Sequence, residues 1–229
     1  MAFGGVRAVD GVGFNLACGA MIAVIGPNGC GKTTLFNLIT GVLRPTGGSI
    51  LFEGQRIDRM PPVDIARAGI VRKFQVPSVF PGMTVADNVA VAAAARATDP
   101  ASPAAILDLV GLATLSRRDA GTLSHGEKQW LELALVLATR PKLVLLDEPA
   151  AGMTRAEKSR TVELIARVRS ETRVALIVIE HDMTFVGALE CPVKAMMAGR
   201  ILAEGSLDMV KGDQRVREGY LGRKVVVHG

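Results

Sequence analysis

The residues best placed to do chemistry in this chain are Gly26, Pro27, Asn28, Gly29, Cys30, Gly31, Lys32 and Thr33, with Thr34 directly after them. The run fits G-x-x-x-x-G-K-[ST], a spacing built for anion capture. Glycines let the backbone curl until several N–H groups point at one phosphate. A helix starting there adds the positive end of its dipole. Lys32 reaches the β- and γ-phosphates of a triphosphate, and the Thr33 hydroxyl ligates Mg2+. A second set closes the apolar run Leu143-Val144-Leu145-Leu146, where Asp147 and Glu148 stand together. Asp147 suits the ion. Glu148 can polarise an attacking water, general-base action worth about 10²–10⁴-fold. An isolated Asp-Glu pair would read as a solvated strand end, but a complete phosphate loop in the same chain argues for the pair's use. His181 follows the run VALIVIE. Open α/β sheets place ligands at the C-terminal ends of parallel strands, so His181 can touch the γ-phosphate; otherwise it is a satisfied structural histidine. Gln75, in RKFQ, is polar between apolar neighbours and alone would be a surface turn residue.

These residues need strands that end on one rim. MIAVIG, LVLL and VALIVI are short apolar runs bounded by Gly, Asp or Glu, as buried strands of an α/β sheet are. AMIAVI (20–25) feeds the phosphate loop (26–34), which opens a helix over LFNLITGVL (35–43). GGSILFEGQRI (47–57) is Gly-bounded and strand-like, and Pro61-Pro62 breaks the chain before a helical segment at 63–68. From about 76 to 140 the character changes. VADNVAVAAAARA is Ala-rich and helical, DPASP (99–103) is a loop, AAILDLVGL is a short helix, and a third helix spans about 125–139 before Arg140-Pro141. From 142 the α/β pattern returns. KLVLLDE and VALIVIEHD are strands with acidic ends, and the helix between them starts at Thr154, which forms a T-x-x-E capping box with Glu157. Val162, Ile165 and Ala166 give that helix an apolar face. VKAMMAGRILAEG (193–205) reads as a hairpin turning near Gly199. The expected organisation is one domain over 1–229, with 1–75 and 141–229 as the α/β core and 76–140 as a helical subdomain.

With 229 residues the chain can bury a sizeable core. No apolar run approaches the ~18–20 residues a bilayer span requires. The net charge of +5 is dispersed, which reads as a solvated surface and not a nucleic-acid or membrane patch. Cys18, Cys30 and Cys191 have neither metal spacing nor a disulfide framework, so a reducing compartment is expected. Asp10 and Asn15 interrupt the stretch before Cys18, so NLAC is not read as a lipoprotein signal. Cys30 lies among N–H donors that lower a thiol pKa, so its alkylation is expected to block nucleotide binding, with nucleotide protecting. It is otherwise a small filler residue.

The stretch TLSHGEKQWLELAL (122–135) gathers Ser124, His125 and Glu127, and alone suggests a hydrolytic or metal cluster. The order GPNGCGKTT, Gln75, LSHGE, LLDEP, His181 resembles the ABC-type ATPases over nearly the whole chain. LSxG upstream of LLDEP separates that family from other phosphate-loop proteins. The resemblance implies a P-loop NTPase of ABC type: an α/β fold with a mixed-sheet core, an antiparallel β subdomain and an α-helical subdomain. It implies ATP and Mg2+ as cofactors and ATP hydrolysis coupled to solute import. Gly26 to Thr34 would bind the triphosphate, and Phe3 would stack on adenine. Gln75 would ligate Mg2+, join in catalysis and report nucleotide state toward the membrane. Asp147 would hold Mg2+ through water, Glu148 would be the general base, and His181 would orient the γ-phosphate and the water. Ser124 and Gly126, at a helix start, would grip ATP held by a partner subunit. The implied partners are a second ABC ATPase subunit, identical or different, two transmembrane permease subunits met around Gln75, Val79 and Phe80, and an external solute-binding protein. No nucleic acid is implied, and the place is peripheral, on the cytoplasmic face of the inner membrane. Trp130 is expected to pack within the helical subdomain.

GPNGCGKTTLFNLITG, LLDEPAAGM, IEHDM and GYLG (219–222) look like the ATP-binding subunits of branched-chain amino acid importers. RKFQVPSVF and LSHGEKQWLEL look more like the urea-uptake branch of that group. Urea import is therefore the expectation and branched-chain amino acid import the alternative. Several residues depart from the family pattern. Relatives carry a strand before the aromatic at position 3, where only Met1 and Ala2 stand here, so either the first sheet is expected to lack an edge or the start is assigned too far downstream. Glu127 replaces a neutral Gln and is expected to set a negative charge near phosphate. Thr154 stands where many relatives have Asp, and the segment from Asn88 to Leu123 is short. Two other readings stay open. A soluble ABC ATPase acting on DNA or ribosomes would bring a second cassette, a coiled coil or a basic extension, none of which is seen. A nucleotide-binding subunit with little activity of its own would fit the short N-terminus.

Overall fold

The structure, a computed structural model, describes residues 1–3, 6–73, 79–94 and 102–221. In chain order the strands are β1 (Ala2–Phe3), β2 (Val6–Arg7), β3 (Met21–Ile25), β4 (Leu51–Phe52), β5 (Gln55–Arg56), β6 (Ile70–Lys73), β7 (Leu143–Asp147), β8 (Ala175–Ile179), β9 (Val193–Met197) and β10 (Arg200–Gly205). The helices are α1 (Lys32–Ile39), α2 (Pro62–Ala68), α3 (Val85–Ala94), α4 (Pro103–Leu109), α5 (His125–Ala138), α6 (Arg155–Glu171), α7 (Met183–Ala188), α8 (Leu207–Gly212) and α9 (Gln214–Val216).

Six strands form the central sheet in the order β10-β9-β3-β8-β7-β6. All neighbours run parallel except the β9–β10 hairpin. This is the mixed sheet the sequence implies. Every residue of β3, β7 and β8 is buried, which is why these strands are apolar throughout but for Asp147 at the end of β7. The two-residue period still sorts their side chains. Ile22, Val24, Leu143, Leu145 and Ile177 pack with Phe36 of α1 on one face. Ala23, Ile25, Val144, Leu146 and Val178 pack with α3, α5 and α6 on the other.

The antiparallel part is smaller than the strand-like reading of 47–57. Within that stretch only the pair β4–β5 forms, and outside the central sheet the described residues hold one other antiparallel pair, β1–β2. Glu53 (φ 50) and Gly54 (φ 80) are both left-handed and make the tight two-residue turn that joins β4 to β5. Residues 12–16 form no strand, and an apolar cavity of about 480 Å3, lined by Phe14, Leu16, Ile50 and Phe52 among others, opens beneath them.

Helix α1 also departs from the reading: it ends at Ile39, before Leu43. Gly41 is left-handed (φ 72), which ends the helix, and a Cβ there would lie 2.6 Å from Ile65 Cδ1 of α2, which packs against this turn. Trp130 does not stay among the helices of 76–140. Its indole N–H donates to Thr161 Oγ1 of α6 at 2.9 Å, and Arg160 covers the ring at 4.4 Å. The expected loop at 99–103 lies partly outside the described residues. No helix among those described is long and apolar enough to cross a membrane.

Candidate nucleotide site

The phosphate loop joins the end of β3 to the start of α1, and two of its glycines are irreplaceable. A Cβ on Gly26 would lie 2.1 Å from the Met196 carbonyl, and one on Gly31 2.0 Å from the Ala8 carbonyl. Gly31 is the left-handed N-cap of α1 and offers no side chain to the first-turn N–H groups. That leaves the helix start for an outside acceptor. The loop closes around Lys32, whose buried Nζ donates to the Gly26 carbonyl at 2.7 Å and the Pro27 carbonyl at 2.9 Å.

Cys30 corrects the sequence reading. Its thiol is 4% exposed, and burial pushes its pKa up, with Lys32 opposing. The expected lowering by loop N–H groups does not win, because desolvation of a thiolate is the larger effect. In the native protein at neutral pH, iodoacetamide should label the exposed Cys18 while sparing Cys30 and Cys191, whose thiol burial drives to about 11. Peptide mapping by mass spectrometry reads this directly. Equal labelling of Cys30 and Cys18 would contradict it.

Three chain segments converge at the C-terminal rim beside this loop. β8 lies between β3 and β7, so the ends of β7 and β8 and the phosphate loop are neighbours. Asp147, buried at the end of β7, accepts from Arg72 at 2.5 Å. Arg72 also donates to Asn37 of α1 at 2.7 Å and stands over the Phe36 ring at 5.5 Å. The sequence reading missed Arg72; the visible signal was a charged residue inside the strand IVRK. Glu148 adopts φ 49, a left-handed conformation that costs a non-glycine residue about 1–3 kcal/mol. Its N–H donates to the Ile179 carbonyl at 2.9 Å, which holds the strained turn. Its Oε1 then lies 3.4 Å from His181 Nδ1. The structure thus brings Glu148 and His181 together.

Gln75 lies outside the described residues. Phe3 belongs to β1, where its backbone pairs with Val6. Val79 is partly buried against the core, whereas Phe80 is 54% exposed.

Mg2+ takes oxygen ligands and is held by one or two carboxylates together with substrate phosphates. Among the described residues no three His, Cys, Asp or Glu side chains converge to hold a metal alone. The oxygen donors Asp147 and Thr33 fit an ion shared with a nucleotide.

Ser124, His125 and Glu127 form no hydrolytic cluster. Ser124 caps α5: its Oγ accepts from Glu127 N at 3.2 Å, and Glu127 Oε2 accepts from Ser124 N at 2.8 Å. Glu127 therefore turns back onto the start of its own helix. The same S-x-x-E pattern was legible in the sequence. A Cβ on Gly126 would lie 2.4 Å from Glu157 Oε1, so any larger residue there would push the Glu157 carboxylate aside. Glu157 is held below the usual carboxylate range by hydrogen bonds from Thr154 first, and from Gly126. His125 Nε2 lies 3.2 Å from the Ala151 carbonyl. The start of α5 is thereby bonded to the loop that follows Glu148, through His125, and to Glu157 in the first turn of α6, through Gly126.

A phosphate loop on β3, a carboxylate pair on β7 and a histidine after β8 define a phosphate-loop nucleotide-binding protein. The description "ABC transporter" matches residues 9–151. The chain is 38% identical over 241 residues to the high-affinity branched-chain amino acid transport ATP-binding protein BraF of Pseudomonas aeruginosa, with 97% of this chain and 94% of that protein covered. It is 36% identical over 243 residues to LivG of Escherichia coli, a protein of the same description, with the same coverage. Among solved structures it resembles the ADP conformation of MJ1267, an ATP-binding cassette of an ABC transporter, at a TM-score of 0.85 and 30% identity, covering 97% of this chain and 95% of that one. The chain belongs to the ABC transporter family and is an ATPase of the importer ATP-binding type. The similarities are to branched-chain amino acid transport proteins, and the urea expectation drawn from RKFQVPSVF and LSHGEKQWLEL gains no support from them.

Proposed function

We propose that this chain is the ATP-hydrolysing subunit of an importer for branched-chain amino acids or closely related solutes. The observation that carries the catalytic part is the Glu148–His181 contact at the strand ends beside the phosphate loop. Gly26 to Thr34 bind the triphosphate, with Lys32 on the β- and γ-phosphates. Thr33 and Asp147 would hold Mg2+ jointly with the nucleotide, and the bound ion would supply charge neutralisation on the phosphates. Glu148 accepts the proton of the attacking water, and His181 orients Glu148 and the γ-phosphate. Ser124 and Gly126 present the start of α5 to ATP held by a second ATPase subunit. The exposed Phe80 faces a permease subunit, and the protein sits peripherally at the cytoplasmic face of the membrane with an external binding protein completing the system. The names of BraF and LivG support the solute class.

The test is ATP hydrolysis by the complex of this chain with its permease subunits in vesicles, on adding binding protein loaded with leucine or with urea. Stimulation by the leucine-loaded form is expected. Stimulation by urea alone would reverse the solute class, and failure to assemble with any permease would reject the importer role.

A further inference from the structure

Glu180 is 1% exposed, and it is a carboxylate. It follows β8 and precedes His181, where its own backbone N–H is already bonded to the Val24 carbonyl. Its side chain reaches two loops at once. Oε1 accepts from the backbone N–H of Ala150 at 3.0 Å. Oε2 accepts from the N–H of His181 at 3.1 Å and of Asp182 at 3.4 Å. Ala150 lies two residues beyond Glu148. One carboxylate thus ties the loop carrying Glu148 to the loop carrying His181.

Strand pairing does not supply this tie. The register of β7 on β8 ends at Asp147 opposite Ile179. Beyond it the Glu148 N–H bonds the Ile179 carbonyl. A buried carboxylate is an expensive residue, and a hydrophobic side chain of similar volume would be cheaper in a site with no donors. Burial pushes the Glu180 pKa up, and the three N–H donors pull it down. The Asp182 side chain adds a second strut: it caps α7 and accepts from Lys158 of α6 at 2.7 Å.

We propose that Glu180 is a positioning residue for ATP hydrolysis, clasping the Ala150 and His181 loops so that Glu148 and His181 stay in register with each other. The proposal rests on the roles given to Glu148 and His181 above. An amide at 180 keeps one acceptor oxygen but sets an NH2 against backbone N–H donors, so at least one side of the clasp opens. An aspartate keeps the local bonds to His181 and Asp182 N–H, as Asx turns do, but falls short of Ala150.

The experiment measures kcat, ATP affinity and thermal midpoint of E180Q, E180D and E148Q in the purified protein. E180Q should lower kcat by about tenfold to 10²-fold, the scale of a misplaced reacting group. Its ATP affinity should stay within about twofold of the parent, because the phosphate loop is untouched. A general loss of structure would instead weaken binding and lower the midpoint together. Should E180Q not fold, E180D decides, with a kcat loss of about tenfold expected from the missing Ala150 bond. Parental kcat in folded E180Q or E180D overturns the proposal. Full activity in E148Q with impaired E180Q would instead remove the base assignment and leave the clasp acting through His181.

Discussion

Glu148→Gln is expected to lower ATP turnover by about 10²–10⁴-fold, the worth of a positioned general base. The substitution changes little else. Gln has the same length and can keep a hydrogen bond to His181 Nδ1, now 3.4 Å from Oε1. The left-handed backbone at φ 49 is set by the bond from the Glu148 N–H to the Ile179 carbonyl, which the side chain does not enter. What disappears is an oxygen that can take a proton from water. ATP should therefore bind with near-parental affinity and remain unhydrolysed. Since the proposed dimer encloses ATP between one phosphate loop and the other subunit's Ser124 segment, the variant should accumulate as a Mg-ATP-dependent dimer on size-exclusion chromatography. Unchanged hydrolysis would sink the assignment of Glu148 as base, and a monomer at saturating ATP would sink the sandwich.

The phosphate loop was legible because its chemistry is local. Gly26, Gly31 and Lys32 act within one turn of chain, and spacing alone conveys that. Asp147, Glu148 and His181 were legible one at a time, as polar residues closing apolar strands. Their meeting depends on β7 and β8 lying side by side, which no spacing states. Arg72 showed only as a charge inside an apolar strand, and its partner was not legible for the same reason. It reaches Asp147 only because β6 pairs with β7 in a register that sets Arg72 opposite Leu145, two positions from Asp147 on the same face. Glu127 shows the opposite failure. Its capping box with Ser124 is a local signal, and a comparison of single letters with the usual family motif obscured it. Cys30 was misjudged because loop N–H groups are countable in sequence, whereas burial is a property of the packed fold.

Lys32→Ala is expected to act on binding, the step Glu148→Gln spares. The Lys32 ammonium is buried and held by the Gly26 and Pro27 carbonyls at 2.7 and 2.9 Å, so the free loop is already shaped around a cation. When a triphosphate arrives, the charge exchanges weakly basic carbonyls for anionic oxygens within the same narrow space. Hydrogen bonds to charged groups contribute about 1.5–3 kcal/mol each, so losing two weakens ATP binding by about 10²-fold or more. The alanine also leaves both carbonyls facing a space that nothing fills, which loosens the loop before ATP arrives. Arginine should not restore affinity, since its planar fork is wider than an ammonium and cannot sit between the two carbonyls. Equilibrium binding of a fluorescent ATP analogue reads the effect, and parental affinity in a folded Lys32→Ala protein would place the nucleotide elsewhere. The two variants separate the halves of the site. Lys32→Ala loses hydrolysis because ATP does not stay, and Glu148→Gln loses it although ATP does.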